Sequence, residues 1–158
     1  MVAVTADVQV ACDAPDIPSA ADFQTWVAAT VNRSGRSPDG DSEIALRVVD
    51  ADEIQTLNRL YRDKDYATNV LSFPAGDIEG MPADAAQLLG DVVICAPVVA
   101  GEAREQGKAL ADHWAHMIVH GTLHLLGFDH EDDAEAAEME ALEARILAAQ
   151  SVTDPYAG

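Results

Sequence analysis

The segment ADHWAHMIVHGTLHLL, from Ala111 to Leu126, constrains the fold of this chain more than any other stretch. At helical periodicity His113, His116, His120 and His124 fall in one stripe, while Trp114, Met117, Ile118, Val119, Leu123, Leu125 and Leu126 make the remaining circumference apolar. A helix that is apolar on every other side belongs in the middle of a domain. The histidine stripe then faces a cavity, and the rest of the chain wraps the helix.

The flanking segments supply the wrapping. Strands are predicted over Val2–Val10, Ile44–Val49, Asn69–Phe73 and Asp91–Ala96. Helices are predicted from Pro18 and Ser19 with Phe23, Trp26, Val27 and Val31 inward, and from Asp50 with Ile54, Leu57 and Tyr61 on one face. A further helix starts at Pro97 and ends at Gly107, and an amphipathic one runs from Glu131 to Ala149, with Met139, Leu142 and Ile146 inward and a glutamate-rich face outward. Strands mixed with helices in this order imply an α/β, or α+β-like, layered domain with the histidine helix at its centre. At 158 residues with no internal repeat, the expectation is a single domain over 1–158.

Charge and composition limit what such a domain does. No apolar run approaches the roughly 20 residues of a membrane span, and no lysine or arginine precedes Arg33, the wrong pattern for a secretory signal. A cytoplasmic location is expected. Cys12 and Cys95 form no framework, and their apolar neighbours predict buried, reduced thiols. The net charge of −19 disfavours non-specific attachment to nucleic acid or anionic membrane, so a polyanionic substrate must meet a local basic patch. Arg59, Arg62 and Lys64 form one, at the end of the second helix.

All five histidines lie between His113 and His130. Residues four apart on a helix share a face, so His120 and His124 can aim at one point, and a left-handed Gly127 can double the chain back to bring His130 there. Three neutral nitrogen ligands and an open position describe a catalytic rather than a structural zinc. The expectation is one zinc ion per chain, held by His120, His124 and His130. His113 and His116 read as supporting or structural residues, and Asp129 as a group that orients a ligand or accepts a proton.

The spacing H-x-x-x-H-x-x-G-x-x-H also occurs in metzincin proteases, but their glutamate is here Gly121, which leaves room beside the metal for something bulky. A phosphodiester calls instead for positive charge on the developing phosphorane, and Arg62 stands where helix gives way to loop. Peptide hydrolysis therefore ranks below phosphodiester chemistry, and a non-catalytic, metal-stabilised assembly factor is the alternative from another class.

The run HGTLHLLGFDH resembles the signature of the YbeY family of bacterial rRNA-maturation endoribonucleases. The likeness extends to LNRLYRDKDYATNVLSFP, GDVVIC and HWAHMIVHG, and covers roughly residues 42–150. It implies a mixed four-stranded sheet with helices and a zinc cleft beside the sheet. It also implies a single-strand-specific, zinc-dependent endoribonuclease of 16S rRNA 3′-end maturation and ribosome quality control. Its partners would be precursor rRNA and the small ribosomal subunit, with a ribosomal protein and an assembly GTPase beyond them, and neither DNA nor membrane. By position, His120, His124 and His130 would hold the metal, and Arg62, His120 and His124 would carry catalysis. Asp63 and Ala67 depart from the family pattern, in the loop beside Arg62.

Overall fold

Side-chain caps start the helices that follow the first strands. In the computed structural model, which describes residues 3–75, 87–152 and 155, β1 (Val4–Val10) leads to α1 (Ala20–Arg33), whose cap Ser19 accepts the Asp22 N–H. After β2 (Ser42–Val49), Asp50 caps α2 (Ala51–Arg62) in the same way, through the Glu53 N–H. Each cap satisfies an N–H that a helix start leaves bare. The remaining elements are β3 (Val70–Pro74), β4 (Gln87–Cys95), α3 (Ala96–Gln106), α4 (Leu110–Leu125) and α5 (Asp133–Ala149). The loop expected after Pro74 lies largely outside the described residues, as does Val2.

The sheet has the order β1-β2-β4-β3, with β1, β2 and β4 parallel and β3 antiparallel at the edge. The mixed four-stranded sheet is the one the family resemblance implies, and the five helices are those read from the residues. The central strands β2 and β4 carry apolar residues on both faces, whereas Thr5, Asp7 and Gln9 of the edge strand β1 are exposed. On one face Ile44, Leu46, Val48, Val92 and Ile94 pack against Phe23, Val27 and Val31 of α1 and Trp114, Met117 and Ile118 of α4. On the other, Val49, Leu71, Val93 and Cys95 meet Ile54 of α2. Cys95 is buried and its thiol is pushed up chiefly by that burial, whereas Cys12 is only half-buried; both are free.

The second apolar side of α4 is taken by α5. Ala115, Val119 and Leu123 pack with Met139, Leu142, Ile146 and Leu147, so α4 lies between sheet and helix. The predicted burial of the histidine helix follows from packing on these two sides. The helix approaches the sheet closely at Gly121. A Cβ there would stand 2.8 Å from Val92 Cγ1, 3.2 Å from Val70 Cγ2 and 3.3 Å from Ser72 Oγ. The Ser72 hydroxyl also donates to the Gly121 carbonyl at 2.9 Å. The glycine thus seats the helix on β3 and β4; it does not open space beside the histidines, and that expectation is corrected.

Alanine in place of a mid-helix glycine normally gains about 1 kcal/mol. Overpacking against rigid β-branched side chains costs about 1–3 kcal/mol, so Gly121→Ala is expected to lower the unfolding free energy by roughly 1 kcal/mol. Urea denaturation measures it. A midpoint shifted upward would show that α4 slides off the sheet without cost.

Candidate metal centre

The turn after α4 is built by the backbone. The Gly127 N–H reaches the His124 carbonyl at 3.1 Å, the Phe128 N–H reaches that of Leu123 at 3.1 Å, and Gly127 adopts φ +94°. A non-glycine residue resists that conformation. The reversal drives Phe128, 6% exposed, into the α4–α5 core and leaves its carbonyl facing the helix it has just left.

That carbonyl fixes His124. Nδ1 of His124 lies 3.0 Å from the Phe128 oxygen, and because a carbonyl only accepts, Nδ1 carries the proton and Nε2 is a bare lone pair. The His120 ring is set by the same logic. Its Nδ1 lies 2.6 Å from Oε1 of Glu143 and donates to that carboxylate. The two Nε2 atoms then face each other at 3.1 Å.

Two ring nitrogens at that distance are held by a positive charge between them, a shared proton or a metal ion. Nitrogens bound to one zinc at about 2.05 Å and tetrahedral angle stand roughly 3.3 Å apart. His130 completes the set. Its ring centre is 5.1 Å from that of His124 and 5.8 Å from that of His120, and one nitrogen of each ring lies within 4.8 Å of the other two. The donor set fits a divalent ion of the zinc type, with three nitrogens from one side. The pKa of His124 is held below its ordinary value, first by desolvation and then by its neighbours His120 and His130, which keeps the ring neutral and able to ligate.

Glu143 is the residue that sequence reasoning missed. The outward glutamate face predicted for α5 is interrupted here: Glu143 is 0% exposed. Its Oε2 takes the Nε2 of His116 at 3.0 Å while Oε1 takes His120, so one carboxylate spans two turns of α4. The only signal in the sequence is its position between Leu142 and Ile146 on the inward side. The histidine stripe therefore divides. His120 and His124 line the cleft, whereas His113 and His116 are buried at 2% and 8% exposure. His113 meets Glu102 of α3 at 3.0 Å, and Glu102 also accepts from Asn69. Burial holds the His113 pKa below the ordinary value against that carboxylate.

The cleft has a volume of about 520 Å³ and is lined by His120, His124 and His130, by Arg62, and by Thr68 to Ser72, which lead into β3 and form its first half. Arg62, the predicted cation, stands in it. Its guanidinium donates to the Ser72 carbonyl at 2.8 Å and lies 4.9 Å from the centre of the Phe73 ring. Arg59 and Lys64 do not line the cleft. Asp129 does, and its Oδ1 accepts the His130 N–H at 2.8 Å, which holds the bend that presents His130.

The fold and site together define a class: an α/β protein with a central helix that presents an open, three-nitrogen metal-type centre beside a cationic side chain. The chain matches the endoribonuclease YbeY family over residues 9–151, and it belongs to that family. It is 62% identical to endoribonuclease YbeY of Stenotrophomonas maltophilia over 143 residues, 90% of this chain and 86% of the relative. To endoribonuclease YbeY of Halorhodospira halophila it is 58% identical over 139 residues, 88% of each. The solution structure of TM1509 from Thermotoga maritima shares the fold, with a TM-score of 0.56 at 21% identity, over 97% of this chain and 99% of that one.

Supporting carboxylates commonly contribute 10–100-fold to metal affinity. Glu143→Gln is expected to weaken zinc binding by about that factor in a protein that stays folded, read by competition with a chromophoric chelator. Unchanged affinity would reduce Glu143 to a packing residue.

A second expectation concerns acid. His113 and His124 titrate below the ordinary 6.5 in the folded chain, so on acidification the unfolded chain takes up protons first. Metal-free stability is then full above pH 6.5 and falls as pH drops below it toward the depressed folded values. Urea unfolding in chelator at neutral and mildly acid pH measures the loss, and His113→Gln should reduce it.

Proposed function

We propose that the protein is a zinc-dependent, single-strand-specific endoribonuclease with one zinc per chain, held by His120, His124 and His130. The observation that carries this reading is the convergence of one nitrogen from each of His120, His124 and His130 within 4.8 Å of one another, with Arg62 in the same cleft. The printed names of the relatives, endoribonuclease YbeY, supply the reaction class. When bound, the ion supplies Lewis-acid chemistry, stabilising negative charge on phosphoryl oxygen and acidifying water.

The protein's own groups do the rest. Arg62 is held by the Ser72 carbonyl and the Phe73 ring, so its remaining N–H donors are oriented before substrate arrives. A guanidinium placed this way stabilises the charge that builds on a phosphodiester under attack, by water or by the neighbouring 2′-hydroxyl. Glu143 and the Phe128 carbonyl keep His120 and His124 in the ligating tautomer. Asp129 is exposed at the cleft wall and orients His130 through the backbone.

The natural substrate on this reading is precursor 16S rRNA at its 3′ end. The setting is the cytoplasm and ribosome quality control, with the small subunit, a ribosomal protein and an assembly GTPase as partners. These particulars rest on the resemblance of HGTLHLLGFDH and TNVLSFP to the family. No described helix is long and apolar enough to cross a membrane. The protease alternative loses its footing in the geometry of α4. Position 121, where metzincins carry their glutamate base, is a glycine with no room for a side chain, since a Cβ there would already stand 2.8 Å from Val92 Cγ1 and 3.2 Å from Val70 Cγ2.

Cleavage of a short single-stranded RNA by zinc-loaded protein tests the reading. Loss of one preorganised donor typically costs 10²–10³ in kcat, so Arg62→Ala is expected to slow turnover by about that factor with zinc content unchanged. His124→Ala is expected to lose both zinc and cleavage while keeping its far-ultraviolet circular dichroism. Full zinc occupancy in folded His124→Ala would remove that residue from the centre. A wild type that binds ribosomal subunits but cleaves no RNA would favour the assembly-factor alternative.

A further inference from the structure

The chain carries nine lysines and arginines against 28 acidic residues, so where the cations gather is informative. A second group stands apart from Arg59, Arg62 and Lys64. Arg33 ends α1, Arg36 lies in the following turn, and Arg145 sits on α5. Arg33 and Arg145 line one cavity of about 380 Å³, together with Ser34, Phe128 and Glu138. Arg36 lies against the same wall, its guanidinium carbon 3.8 Å from the centre of the Phe128 ring.

None of the three guanidinium groups has a carboxylate within ion-pair distance among the described residues, Glu138 included, whereas Arg47 is paired with Glu53. In a chain with so much acid to spare, exposed arginines left unpaired around one cavity are available to an anion from outside. A favourable helix-end charge accounts for Arg33, in the last turn of α1, but not for the convergence of Arg145 from another helix.

The cavity adjoins the metal centre. Phe128 lines both spaces, and a Cβ on Gly127 would stand 3.4 Å from Nη1 of Arg36. The Arg36 guanidinium therefore lies over the turn that joins His124 to His130. A strand that occupies the cleft and continues past this turn meets the arginines next. Guanidinium forks match phosphate oxygens in geometry and charge, and the net charge of −19 disfavours a polyanion on surface that lacks such a group of cations.

We propose that Arg33, Arg36 and Arg145 form a second phosphodiester-binding subsite, which holds the RNA backbone beyond the Gly127–Phe128 turn. The subsite rests on the endoribonuclease reading and extends it to the path of the strand. It positions substrate and takes no part in the chemistry.

The test uses the zinc-loaded full chain, with one single-stranded RNA long enough to leave the cleft and one short enough to span the histidines alone. In Arg33→Gln/Arg145→Gln the KM for the long RNA is expected to rise several-fold, with a much smaller change for the short one. The slope of log Kd against log salt for the long RNA should fall by about 0.7 for each phosphate that the variant no longer neutralises. Arg36→Lys, which keeps the charge but loses the stack on Phe128, should weaken long-RNA binding less than Arg36→Gln. Unchanged KM and salt slope in the double variant would overturn the subsite and point to an acidic protein segment as the occupant, with the nuclease reading intact. Equal weakening on both RNAs would also overturn it, as a loss of site integrity. A wild type that cleaves neither RNA would bring down the nuclease reading itself, and this extension with it.

Discussion

Two imidazole nitrogens held 3.1 Å apart in a half-buried cleft set the terms for everything around them. Each ring is tied at its other nitrogen. His124 is tied to a carbonyl that cannot turn away, since the reversal at Gly127 and the buried Phe128 ring hold it. His120 is tied to a carboxylate that α5 brings beneath it. The packing of α4 between sheet and α5 is the scaffold that keeps the two rings convergent.

Burying Glu143 completely is expensive unless its oxygens are satisfied. Two imidazole N–H groups from successive turns of α4 satisfy them, and the same bonds dock α5. Fold stability and ligand orientation thus share one carboxylate. His113 and Glu102 repeat the device on a smaller scale, tying α4 to α3 and, through Asn69, to the start of β3.

The sequence made the architecture readable wherever periodicity and caps agreed. Ser19, Asp50, Pro97 and Gly107 mark helix ends in the structure as they do in the string, and the apolar circumference of α4 announced its burial. The three convergent histidines and Arg62 in one cleft were readable because they depend on helical spacing and one turn. What escaped were properties of partners distant in the chain. Glu143 reads as one more acid on an acidic helix, and only the approach of α5 to α4 turns it inward. Gly121 reads as an absence beside the first ligand, but the register of α4 on β3 and β4 shows that it is a seat. No local pattern carries either fact.

Phe128 serves three neighbours through different atoms. Its carbonyl orients His124, its buried ring anchors the turn in the α4–α5 core, and the ring face supports Arg36. The first service belongs to the backbone and survives any substitution that leaves the bend intact; the second asks only for bulk and hydrophobicity; the third asks for an aromatic π cloud. Tolerance at this position is therefore graded. An aliphatic replacement would spare the imidazole while stripping the guanidinium of its shelf, and a small one would slacken the bend and loosen all three at once.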